Sequence, residues 1–231
     1  MDVLFFLKEK TAFIRQLYVT TSASYTERIQ KIQNNEEPFY STCSGEYGPP
    51  FQIEYMEASD SLDALGYMCI SMLAAALKLY LDVWAKQSRI QLDESKFNKG
   101  WLVGYGIHFK QNFNIDFELA PVSLNLIEEI ILARNQIRHP SSIISHQTTY
   151  GAKDIEKIGT PLFVNECEWE AFLLVDQPLE GFLKVFLPSI RVTEESLLST
   201  IADVERFSEW FGNEIESKNA RVVRSNSRNP S

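Results

Sequence analysis

Apolar and polar residues recur along this chain mostly with the period of an α-helix, and the pattern predicts five helices. Residues 3–34 read as the first, with Phe6, Phe13, Leu17, Ile29 and Ile32 facing inward and an interruption expected at Val19-Thr20-Thr21-Ser22. Pro38 closes it, and Gly45, Gly48, Pro49 and Pro50 mark a loop spanning 34–58. Ser59 or Asp60 can cap a second helix reaching about Arg89, with Leu62, Leu65, Cys69, Met72, Leu73, Ala76, Tyr80 and Val83 inward. A third, over about 95–113, places Phe97, Trp101, Tyr105, His108 and Phe109 on one side. The fourth starts near Ser123, just after Pro121, and runs to about Arg138. Thr193, followed by Glu194 and Glu195, caps a last helix through Leu197, Ile201, Val204, Trp210, Phe211 and Ile215. Residues 141–190 form an irregular connection, in which Leu162–Val164 and Phe172–Val175 could pair as a short β-hairpin. The expected fold is an all-α bundle of about five helices in a single domain over 1–216.

Composition narrows the function classes. An apolar share of 45% over 231 residues supports one good-sized core. No uninterrupted apolar run approaches the roughly 18 residues of a membrane span. Cys43, Cys69 and Cys167 lie far apart without a CxxC pair, which suits reduced thiols in the cytoplasm. The net charge of −9 argues against a protein that coats nucleic acid electrostatically. The charge is uneven, however. Residues 217–231 hold Lys218, Arg221, Arg224, Arg228 and no acid, and read as a disordered basic tail.

The most telling stretch is Arg134-Asn135-Gln136-Ile137-Arg138-His139 at the end of the fourth helix. At about 100° per residue, Arg134 falls on the stripe shared by Ile127, Ile130, Ile131 and Ile137, and Arg138 lies one turn further along. A guanidinium there is costly unless it is paired or the stripe faces a polar cleft or another subunit. Pro140 pushes His139 out of helical geometry, leaving its imidazole at the helix end. Two cations and an imidazole thus gather within about two turns.

This cluster resembles the R-x4-6-H motif of the HEPN superfamily (higher eukaryotes and prokaryotes nucleotide-binding domains). Arg134, four intervening residues and His139 carry the match, with Asn135 at the position after the arginine where that superfamily favours a polar residue. The resemblance covers mainly residues 59–140. It implies a HEPN-like helical bundle and a metal-independent endoribonuclease without a cofactor, in which Arg134 and His139 act at the scissile phosphate and two protomers join their motifs across a two-fold axis. A toxin or phage-defence effector with RNA as substrate, and with a neutralising antitoxin or regulatory protein as partner, would fit; DNA and membranes would not be its targets. The residue types suit that chemistry. RNA carries its own nucleophile, the 2′-OH, so cleavage needs proton transfer and stabilisation of phosphorane charge. His139 can exchange protons near neutral pH, Arg134 can grip phosphate oxygens bidentately, Asn135 can orient the histidine or the sugar, and Arg138 can add a substrate contact. Nucleotidyltransferase-paired members of the superfamily carry a tyrosine two residues after the histidine. Ser141 stands there, which argues against control by modification of that tyrosine.

Other candidates are weaker. His108 sits on an apolar face and reads as a core histidine, His146 has no cysteine at ligand spacing, and Glu128-Glu129 read as a solvated face. No zinc pattern or phosphate-binding glycine loop is present. Three readings stand: a cleaving HEPN enzyme, a catalytically silent HEPN-like module binding RNA, nucleotide or protein, and an unrelated adaptor whose Arg134 is buried against a carboxylate.

Overall fold

A computed structural model describes residues 2–41, 50–139, 147–174 and 187–226, with side chains through Lys218. Among these residues the chain is all-α, with no strand. Helices α1 (Val3–Gln33) and α2 (Gln52–Gln87) pack antiparallel along their length. α3 (Trp101–Phe113), α4 (Leu124–Arg138), α5 (Ala152–Ile158), α6 (Glu166–Leu173) and α7 (Glu194–Asn226) follow. α2 lies at the centre, contacting α1, α3, α4 and α7. Its most apolar 18-residue window has a mean hydropathy of 1.6, long and apolar enough to cross a bilayer, yet 61% of it is buried in the bundle. That is the pattern of a core helix.

The helix starts follow their chemistry where a side chain can act. Asp2 accepts from the Phe5 amide at 2.9 Å to open α1, and Thr193 accepts from the Ser196 amide at 3.1 Å to open α7, as expected for that cap. Elsewhere the expectations need correction. α1 runs without interruption through Val19–Ser22, and its inward stripe is Val3, Leu7, Thr11, Ile14 and Tyr18, whereas Phe6 and Phe13 are more than half exposed. α1 is apolar on two faces, and the one with hydroxyl-bearing residues is covered by α7: Thr11 donates to Glu205, and Tyr18 donates to the Val192 carbonyl at 3.0 Å. α2 begins at Gln52, not near Ser59, so the preceding loop is shorter than 34–58; Phe51 in the left-handed region opens the helix without a side-chain cap. The third segment splits at Gly100, whose φ of 115° separates a 3-10 turn (Glu94–Lys99) from α3. The hairpin is not formed, because Phe172 and Leu173 belong to α6. The backbone of α7 continues to Asn226, well into the tail expected to be disordered from 217; residues 227–231 lie outside the described ones.

The core is dominated by aromatic rings where α2, α3 and α7 meet. Phe109 packs edge-on to Phe211 at 4.7 Å, and Phe117 meets Phe207 at 5.2 Å. The irregular connection is tied down by hydrogen bonds. Tyr67 of α2 donates to the Ile190 carbonyl at 3.0 Å and accepts from the Thr148 amide at 3.2 Å, while the Ile190 amide donates to the Thr148 carbonyl at 2.7 Å. Gly66 permits this close approach: a Cβ there would stand 2.7 Å from Val192 Cβ. Gly66→Ala should therefore lower unfolding stability by about 1–3 kcal/mol through overpacking, read as a lower urea midpoint. An unchanged midpoint would show that the 187–193 segment is not held against α2.

Candidate functional site at the end of the fourth helix

α4 is divided by its angular pattern into faces with different tasks. Ile127, Ile130, Ile131 and Ala133 are buried in the bundle. Glu129 and Gln136, about 20° apart around the axis, face the irregular connection and α5. Arg134 and Arg138 continue the isoleucine stripe toward the C-terminal end, half-buried and exposed respectively, with the exposed Asn135 beside them. The Ile127–Ile131 stripe therefore lies under the bundle at its N-terminal end and comes into the open at Arg134.

Two polar attachments hold this helix end. Glu129, only 2% exposed, accepts from the Tyr150 hydroxyl at 2.8 Å and from the Leu162 and Phe163 amides at 2.8 and 2.9 Å, all at Oε1. Within the motif's own span, Gln136 Nε2 donates to Asp154 Oδ2 at 2.6 Å, the same oxygen that accepts the Gly151 amide at 3.0 Å. The reading of Glu129 as solvated is thus corrected. Its neighbour on the helix surface one turn on is Ala133, a core position whose small side chain does not announce itself in the sequence. Glu128 does face outward, 3.7 Å from Lys157.

Among the described residues, no carboxylate pairs with the motif side chains. Arg134 is half-buried and donates from Nη1 to Asn135 Oδ1 at 3.1 Å. Asn135 is exposed and accepts that bond through its side-chain oxygen. Partial burial, and then the cation of Arg138, push the Arg134 guanidinium below its usual range, though far from losing its charge. Arg138 and His139 are exposed, and neither makes an ion pair among the described residues. At His139 the backbone leaves the helix (φ −126°, ψ 62°) while its amide still donates to the Gln136 carbonyl at 3.1 Å. Arg134 and Asn135 are thus brought into contact, and Arg138 and His139 follow on the same helix end with no side-chain hydrogen bond to them among the described residues. The adaptor reading required Arg134 sealed against an Asp or Glu, an arrangement not found among the described residues.

Two further expectations can be placed. The isoleucines of α4 are covered within one chain, so the case for a two-fold contact here rests on the exposed charges alone. His108 is 5% exposed, with burial pushing its pKa down, Nδ1 3.4 Å from Asn112 Nδ2 and Nε2 without a partner. It belongs to the core. Cys69 is buried, its thiol pushed up to about 11 by desolvation, and Cys167 is an exposed free thiol. No group of three metal-ligating side chains occurs among the described residues. His146, Ser141 and Cys43 lie outside them.

No family model matches the chain, and neither curated proteins nor solved structures give a match.

The Glu129 attachment generates a stability prediction. Burial pushes its carboxyl above the ordinary 4.5, against the pull of its three donors. A carboxyl raised in the folded state favours its protonated form, so its contribution is fully present below that ordinary value and is lost as pH rises through the raised one. Wild-type stability relative to Glu129→Gln should therefore fall as pH rises from acid to neutral. Glu129→Ala, which strands the Tyr150 hydroxyl and two amides, should cost about 3 kcal/mol in urea unfolding. A cost under about 1 kcal/mol would show that the three donors find other partners.

Proposed function

We propose that this chain is a metal-independent endoribonuclease of HEPN type, acting in the cytoplasm as a toxin or phage-defence effector. The observation that carries the reading is a guanidinium and an imidazole at the end of an anchored helix, presented without carboxylate partners among the described residues. A solvated surface would leave such groups on a loose end. Here Glu129 and Gln136 fix the helix on one side while Arg134, Arg138 and His139 stay open on the other.

RNA supplies the nucleophile. The 2′-oxygen attacks the adjacent phosphorus as its proton passes to a base, the phosphorus–5′-oxygen bond breaks, and the leaving oxygen takes a proton. His139 is the proton-transfer group. Arg134, steadied by Asn135, bonds non-bridging oxygens as charge builds on them, and Arg138 holds a neighbouring phosphate. The products are a 2′,3′-cyclic phosphate and a free 5′-hydroxyl. A two-fold homodimer, with the motifs side by side, would provide one imidazole to accept a proton and a second to donate one.

One observation favours the second reading, a silent module of the same type that binds RNA, nucleotide or a protein partner. Arg134 is half-buried and Asn135, Arg138 and His139 are exposed, so among the described residues one chain presents the motif at its surface. Cleavage separates the two. The purified protein should cut RNA in excess EDTA and spare DNA of the same sequence. Arg134→Ala and His139→Ala should each lower the rate by at least about 100-fold with the circular dichroism spectrum unchanged. Arg134→Lys should rescue poorly, since an ammonium lacks the planar fork. Intact RNA after incubation with wild type, or equal cutting by His139→Ala, would overturn the enzyme reading and leave the binding module.

A further inference from the structure

A cavity of about 390 Å³, with both polar and apolar walls, opens between α1, the first half of α2 and the segment entering α7. At its wall sits Asp63, 6% exposed. Buried carboxylates in folded proteins are almost always hydrogen-bonded, and one that is not calls for a reason. Asp63 makes no hydrogen bond among the described residues. Its ion-pair partner among the described residues is Arg191, whose Nε stands 3.7 Å from Oδ1, beyond hydrogen-bonding reach, and whose side chain is 37% exposed. By contrast Glu129, equally buried, collects three donors.

The surroundings say what kind of group would complete Asp63. Glu194 also lines the cavity, and Asp60 and Glu168 add negative potential at Asp63, against the single cation Arg191. The hydroxyl-bearing Ser22, Thr26 and Ser59 lie around the same space, and Ile29 and Leu62 give it an apolar side. The size falls within the range of small-molecule sites.

We propose that this cavity binds a small primary amine, whose ammonium donates hydrogen bonds to the Asp63 carboxylate while its body rests on Ile29 and Leu62. Such a ligand joins α1, α2 and the 187–193 segment, and by mass action it stabilises the folded chain. The site is separate from the Arg134–His139 motif and does not depend on its activity.

The test is calorimetric titration of the full chain with tyramine, ethanolamine and putrescine, and with tyrosol, in which a hydroxyl replaces the ammonium of tyramine. At least one amine should bind wild type with a dissociation constant of about 1 mM or tighter, and tyrosol should bind at least about 10-fold more weakly than tyramine if tyramine is that amine. Asp63→Asn should weaken the amine at least about 10-fold. Thr26→Trp, at an exposed position on the mouth of the cavity, should block it while leaving the core untouched, and it decides the question if Asp63→Asn fails to fold. Absence of binding by all three amines, or amine binding that survives Thr26→Trp unchanged, overturns the proposal.

Discussion

The buried carboxylate of Glu129 is the constraint on which the arrangement at the end of α4 depends. One oxygen gathers the Tyr150 hydroxyl and two successive backbone amides, so three stretches of chain that are far apart in sequence meet at one point on one helix. A buried carboxyl of this kind needs hydrogen-bond donors, and the connection supplies three of them to Oε1. The helix is thereby joined to Tyr150 and to residues 162–163. Phe163 extends the attachment: its amide donates to Glu129 and its carbonyl accepts from the Arg191 amide at 2.9 Å. The segment that leads into α7 and borders the Asp63 cavity is thus bonded, through one residue, to the helix that carries the motif.

That attachment explains how opposing demands on α4 are met. Its isoleucines satisfy the core, its two buried-side polar residues satisfy the connection, and its last turn is left in the open. Cations near a helix C-terminus are favoured by the backbone dipole, so Arg138 needs no carboxylate there, while Arg134 is supported by Asn135. On a chain of net charge −9 this gathers two cations at one helix end.

Much of this was legible from periodicity. The boundaries of α1 and α4, the Thr193 cap and the inward face of α7 follow from apolar spacing and capping chemistry. What was not legible depends on partners distant in sequence. Phe6 and Phe13 look like core residues until α7 covers the opposite stripe of α1, and Glu129 looks solvated until Tyr150, Leu162 and Phe163 arrive. Asp63 is similar, an acid in a helical sequence whose burial comes from the segment packed over Gly66. The motif itself needed only its spacing and the following proline to be noticed. Its presentation, open and unpaired, came from the fold.

The most direct measurement uses an RNA cut at a mapped position and a copy in which only the 2′-hydroxyl at that position is replaced by hydrogen. If the Arg134–His139 end of α4 works through the nucleophile that RNA carries, cutting at that position is lost in EDTA while every other site is cut as before. Undiminished cutting at the 2′-deoxy position would mean that an external nucleophile attacks the phosphate, and the account of this site would be contradicted.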